Sequence, residues 1–156
     1  MPKSSSRLPR TTARDAPENL AILLREPFRT LSEQLIERLA QRGHPDVRYP
    51  HGNVLQYLDD GGTRVGVLAD RAGMTRQSMT QLVEHLERHG YVERVADPSD
   101  GRAQLVRATR RGDDVFTIVR EFVTEVEAQL HARLGAAKLA RLRALLRELD
   151  EALGGA

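Results

Sequence analysis

From Leu68 the chain runs LADRAGMTRQSMTQLVEHLERHG, two apolar-patterned stretches separated by a glycine. Gly73 has no Cβ and lets the backbone turn out of a helix that ends near Ala72. Thr75 then stands where a hydroxyl can accept from the free N–H groups of a second helix. Inside that second helix Met79, Leu82, Val83 and Leu86 recur at i, i+3, i+4 and i+7, the stripe of a half-buried helix. Two helices joined by so short a turn cross steeply, and the second keeps one face free.

At about 100° per residue the free face is centred on Gln77, Gln81, Glu84 and Arg88, with Arg76, Ser78 and Thr80 on its flanks. Its amino-terminal half is therefore Thr75, Arg76, Gln77, Ser78, Thr80 and Gln81. Gln pairs bidentately with adenine, Arg with guanine, and Ser or Thr with either. Glu84 would repel phosphate, so the first two turns are the expected reading end. An ordinary solvated helix shows a similar polar face, and on this helix alone both readings stand.

The next segment separates them. Gly90 closes the helix, residues 91–95 form a short strand, and residues 104–108 form a return strand. Asp97-Pro98 and Asp100-Gly101 are turn dipeptides, Pro presetting φ and Gly accepting a positive one. A protruding loop ending in Asp100-Gly101-Arg102 can lay Arg102 in a narrow minor groove, where the potential is most negative. Asp100 is a poor DNA contact and fits better as a group that orients an arginine or caps the turn. Helix, turn, helix and hairpin is the order in which a winged helix-turn-helix offers one helix to the major groove and one loop beside it. An ordinary surface hairpin is the competing reading.

The stretches LADRAGMTRQSMTQLVEHLERHGYVER and DPSDGRAQLVRATRRG resemble the MarR family, the multiple-antibiotic-resistance-type regulators. They are similar to its helix-turn-helix, its D-x-R wing (Asp100, Arg102) and its L-T-x-x-G exit, here Ala108 to Gly112. The resemblance implies that Thr75 to Gln81 supply major-groove contacts, that Arg102 enters the minor groove and that Asp100 holds the wing. Arg94 joins the DNA-binding candidates from the wing's first strand. Two departures stand out: Gly101 replaces an arginine common in relatives, and Ala108 replaces a leucine. The family often binds small aromatic or phenolic anions in a cleft between the dimer helices and the winged helix. By that resemblance the effector candidates are Arg48, Tyr49, His51 and Tyr57. Arg48 can pair with a carboxylate and Tyr49 can stack on a ring. His51, if unperturbed, would titrate near neutrality and leave pH sensing open.

Composition agrees with a DNA reader. The chain has 156 residues and a formal charge of only +2, yet nearly all its basic residues are arginine. Arg94, Arg102, Arg107, Arg110 and Arg111 are expected to cluster around the wing, and clustering matters more than net charge. With no cysteine there is no disulfide, zinc ribbon or thiol sensor. There is no membrane-length apolar run and no signal-peptide core, which gives a soluble cytoplasmic protein as the expectation. His85 and His89 lie four apart on one helix, but no third ligand accompanies them, so no metal is expected. No nucleophile elbow, phosphate loop or carboxylate pair appears, and neither an enzyme nor a cofactor is expected.

The fold expected is mainly α with a small β-hairpin wing. Residues 1–16 read as a disordered basic tail and 17–43 as a dimerisation or support helix, kinked near Pro27. A short helix over residues 53–59 opens the winged helix-turn-helix DNA-binding domain of residues 50–109. Residues 110–156 read as dimerisation helices, broken at Gly135. The two terminal segments carry more apolar surface than one small domain covers, which predicts a symmetric homodimer. Two recognition helices about a two-fold axis fit a palindromic operator with half-sites roughly 34–36 Å apart. The expected function is a sequence-specific transcriptional repressor on double-stranded DNA, released by a small aromatic effector. The alternative is a winged-helix protein-interaction or architectural module without specific DNA reading.

Overall fold

The structure, a computed structural model, describes residues 19–154. The tail expected over residues 1–16 and the helix start at Pro17 lie outside them. Helix α1 spans Leu20–Gln41, capped by Asn19, whose side chain accepts from the Ala21 N–H at 2.9 Å. Pro27 lies inside a helix that continues through it. The short helix differs from expectation. A 3-10 turn over Tyr49–His51 runs directly into α2, Gly52–Leu55, so the element starts and ends about four residues early. Pro50 presets the first turn, and the Arg48 N–H donates to His51 Nδ1 at 2.9 Å, which fixes the start there.

Helix α3 is Val65–Arg71 and α4 is Arg76–Arg88, with Gly73 in the left-handed region at φ 61° between them. Strands β1, Val92–Asp97, and β2, Asp100–Ala108, form the antiparallel hairpin. Thr63, just before α3, adds one bridge to Val106 of β2, with N–H to O distances of 2.8 and 2.9 Å. Helix α5 follows as Arg110–Leu134, and α6 as Ala136–Ala152 after Gly135 at φ 79°.

The core is built where these elements meet. Leu68 of α3, Met79, Val83 and Leu86 of α4, Val106 of β2 and Ile118 of α5 are each at most 1% exposed. The expected α4 stripe is therefore the buried face, with Leu82 at its edge. On α5 Val115, Ile118 and Phe122 are buried, and Val123 is 51% exposed. The terminal helices stay partly bare. Leu20, Leu23 and Phe28 of α1 and Leu142, Leu145 and Leu146 of α6 are all more than two-fifths exposed. On α6 Leu139 alone is buried. Among the described residues no helix is long and apolar enough to cross a membrane.

Candidate nucleic-acid interface

Helix α4 is positioned by its cap and its buried stripe. Thr75 Oγ1 accepts the Ser78 N–H at 3.2 Å and donates to Ser78 Oγ at 2.9 Å, so these two hydroxyls are committed to starting the helix. Thr80 donates its hydroxyl back to the Arg76 carbonyl at 2.8 Å. Arg76, Gln77 and Gln81 differ: all three are exposed, and none makes a side-chain hydrogen bond or ion pair among the described residues. With Met79 and Val83 fully buried beneath them, those three side chains stand on a fixed ridge with unspent donors.

The wing departs from expectation in shape. Its turn is at Pro98-Ser99, with Asp97 paired to Asp100, so Asp100-Gly101 belongs to β2 and not to the tip. Gly101 is not among the glycines with positive φ. The reason is Asp97, whose Oδ1 accepts both the Ser99 N–H at 2.8 Å and the Ser99 hydroxyl at 2.6 Å, closing the turn one step earlier. The register then jumps from Asp97↔Asp100 to Ala96↔Gln104. Residues 101–103 are thus extra on β2, a bulge that pushes Arg102 outward. Arg102 is exposed and its guanidinium is unpaired among the described residues. Asp100 Oδ1 accepts the Arg102 N–H at 3.1 Å, which ties the bulge to the turn.

The basic cluster around the wing is thinner than the composition suggested. Arg94 Nε bonds Glu87 of α4 at 3.1 Å, and Arg107 pairs with Glu93 across the hairpin at 2.7 Å. Arg111 donates to the Tyr91 hydroxyl and the Gly43 carbonyl and lies over the Tyr91 ring. These arginines hold elements together. A residue that sequence reasoning missed is Arg64, which reaches the wing from the start of α3: Nε bonds Asp97 Oδ2 at 2.7 Å. Its partner lies 33 positions away, so no local pattern could announce it.

A second feature lies where the winged unit meets α1 and α5. A cavity of about 420 Å³ opens between α1, the connector of residues 46–51, α2 and α5, and its lining is mostly apolar. Arg48 and Tyr49 line it, and Tyr49 meets Phe28 of α1 edge-on at 5.6 Å. His51 and Tyr57 do not line it. His51 is 5% exposed and stacks on His85 of α4 with ring centroids 4.2 Å apart. Burial, then the neighbouring His85, Arg48 and His89, push its pKa down to about 4, so it does not titrate near neutrality. Tyr57 is half-buried against the core, and its carbonyl accepts from Arg71 at 2.8 Å. His85 Nε2 donates to the Asp46 carbonyl at 2.9 Å and His89 Nδ1 to the His85 carbonyl at 2.8 Å. These bonds tie the connector to the carboxyl-terminal half of α4.

Comparison with known proteins places this architecture. Residues 46–103 match the family model described as MarR family. The regulator FarR of Neisseria gonorrhoeae is 32% identical over 97 residues, covering 62% of this chain and 66% of FarR. The homoprotocatechuate degradative operon repressor of Escherichia coli is 31% identical over 81 residues, 52% of this chain and 55% of that one. In these two and in YfiV of Bacillus subtilis and BadR of Rhodopseudomonas palustris the match spans 34% to 66% of the relative's own length. The crystal structure of transcriptional regulator PA4135 is 28% identical with a TM-score of 0.62, covering 85% of this chain and 96% of that one. The S. aureus MepR–DNA complex shares the fold at a TM-score of 0.70, with 20% identity, 86% of this chain and 98% of that one. The family match across the helix-turn-helix and wing, and fold agreement over most of the chain, converge: this chain belongs to the MarR family of winged-helix transcription regulators, which are not enzymes.

Proposed function

We propose that the chain is a sequence-specific DNA-binding repressor that engages a palindromic operator as a homodimer. The observation that carries the reading is the pairing of two unspent donor sets: Arg76, Gln77 and Gln81 on α4, and Arg102 on the wing bulge. The first set suits base edges in a major groove and the second suits a minor groove. The fold shared with MepR bound to DNA supports the same docking. The bare leucine faces of α1 and α6 support a second copy as their cover. A similar protein is named a repressor, which supports that sign of regulation here.

The cavity supports a small aromatic or phenolic effector. Its apolar walls suit a ring, and Arg48 and Tyr49 stand where a carboxylate and an aromatic face would be met. An effector preferring conformers whose recognition helices miss the half-site spacing lowers DNA affinity, by about 1–3 kcal/mol of coupling in typical cases. Selection of the protein against a random duplex library at several salt concentrations tests the reading. An enriched palindrome is expected. Salt-sensitive binding with no enriched motif would replace it with an architectural role, and no binding at low salt with a protein-interaction module.

A further inference from the structure

We infer that Arg64 is a positioning residue that sets the wing for minor-groove entry by clamping Asp97 and Asp100, an inference that rests on the DNA-binding reading above. Asp97 and Asp100 put two carboxylates on either side of the turn, in the segment that must approach phosphate. Their charge opposes that approach, so their contribution has to be geometric. The contacts show which geometry they hold. Asp97 is 6% exposed with every oxygen engaged: Oδ1 by the Ser99 N–H and hydroxyl, Oδ2 by Arg64 Nε at 2.7 Å and by Nη2. The same Nη2 lies 3.6 Å from Asp100 Oδ2, whose other oxygen accepts the Arg102 N–H. One guanidinium therefore touches both acids, and the second acid holds the backbone of Arg102 itself.

Arg64 is well placed for this because its neighbour Thr63 is bridged to Val106 of β2. The base of the wing and the start of α3 are thereby one rigid junction, and Arg64 extends from it along the hairpin to the tip. Without Arg64 the two-residue turn and the three-residue bulge would rest on Ser99 and Asp100 alone. Arg102 would then have to be ordered at the moment of binding, a cost the clamp removes beforehand. The electrostatics agree: bonds from Ser99, then from Arg64, hold the Asp97 pKa down at about 2, and the Asp97 contact raises that of Arg64.

The test combines DNA affinity with a DNA-free reading of the wing. In titrations of the selected operator, Arg64→Ala and Asp97→Asn should each weaken binding about tenfold, the double variant no further, and Arg64→Lys should recover part of the loss. In the Arg64→Ala background, Arg102→Ala should lose most of its own effect. Trypsin cleavage after Arg102, followed by mass spectrometry without DNA, should accelerate several-fold in Arg64→Ala and Asp97→Asn while the melting temperature holds. Arg64→Ala weakening while Asp97→Asn tightens would overturn the inference and make Arg64 a direct phosphate contact. Unchanged cleavage after Arg102 would also overturn it. Wild-type protein that binds no DNA would instead refute the proposed function, leaving the clamp to be judged by cleavage alone.

Discussion

Gly112→Ala is the substitution for which the structure sets the clearest cost. Gly112 lies in the first turn of α5, and a Cβ added there would meet the Tyr91 carbonyl oxygen at 2.3 Å and its carbon at 3.3 Å. Comfortable contact begins at roughly 3.5 Å, so helix and strand must part by about 1 Å. The Tyr91 carbonyl cannot yield freely, because it accepts the Thr109 N–H at 3.0 Å and the Thr109 hydroxyl at 3.2 Å. Thr109 is also the cap of α5, its Oγ1 accepting the Gly112 N–H at 3.2 Å. The clash therefore strikes the joint at which the wing hands over to the long helix.

Overpacking of this kind costs about 1–3 kcal/mol, and a weakened carbonyl bond adds about 1 kcal/mol. Alanine returns up to about 1 kcal/mol of helix propensity. The balance is a net loss of about 2 kcal/mol, or roughly 4–8 °C in melting temperature for a chain of this size. Gly66→Ala in α3 is the matched control, because nothing lies within 4 Å of its added Cβ. It should hold stability or raise it by a few tenths of a kcal/mol. Thermal and urea unfolding at one protein concentration measure both. A Gly112→Ala protein melting at or above wild type would refute the reasoning, since propensity would have outweighed the contact.

Other consequences are equally open to measurement. Arg102→Ala should weaken binding to every duplex and reduce the salt slope by about one, whereas Gln77→Ala or Gln81→Ala should cost about 1–3 kcal/mol only on the selected operator. Equal losses on specific and random DNA would remove the base-reading role from the glutamines. Leu145→Glu with Leu146→Glu should shift sedimentation toward a monomer and abolish operator binding with α-helical content unchanged, and an unaltered dimer would move the interface elsewhere. His51 is pushed from 6.5 to about 4 in the folded chain, so the unfolded chain takes up its proton first as pH falls. Its contribution is complete above about pH 6.5 and lost between there and about pH 4, at no more than about 1.4 kcal/mol per pH unit. Urea midpoints of His51→Phe should therefore fall less steeply than wild type across that window, and parallel slopes would assign the dependence to another group.

The parts of the molecule legible in the sequence are those fixed within one helical turn or one strand. Thr75 caps α4 through Ser78, Thr109 caps α5 through Gly112, and the buried side of α4 follows from the spacing of Met79, Val83 and Leu86. The misread parts depend on partners from other elements. Arg94 looks like a free cation until α4 brings Glu87 to it, and His51 looks titratable until the connector folds it against His85. Half of the wing turn was misread for this reason: Asp97-Pro98 opens it as expected, while Asp100-Gly101 joins β2. Asp100-Gly101 is the stronger turn dipeptide in isolation, but Asp97 has a serine two residues on and an arginine across the fold, and together they close the hairpin first.

That contrast explains why the exposed, unpaired donors of α4 were legible in the sequence and their support was not. A side chain that meets a ligand points away from its own protein, so its neighbours in sequence are nearly its whole environment. Arg76, Gln77 and Gln81 could be chosen from helical phase because no distant group competes for them. Arg64, Asp97 and Gly112 do their work through contacts between elements, which their own segments do not announce. On the proposed DNA-binding reading, the exposed set decides which bases can be recognised, and the hidden set decides whether the wing and the recognition helix arrive together. Substitutions in the first should alter sequence preference. Substitutions in the second should alter affinity for all DNA and leave preference unchanged, a separation that binding selections on Gln81→Ala and Asp97→Asn would reveal side by side.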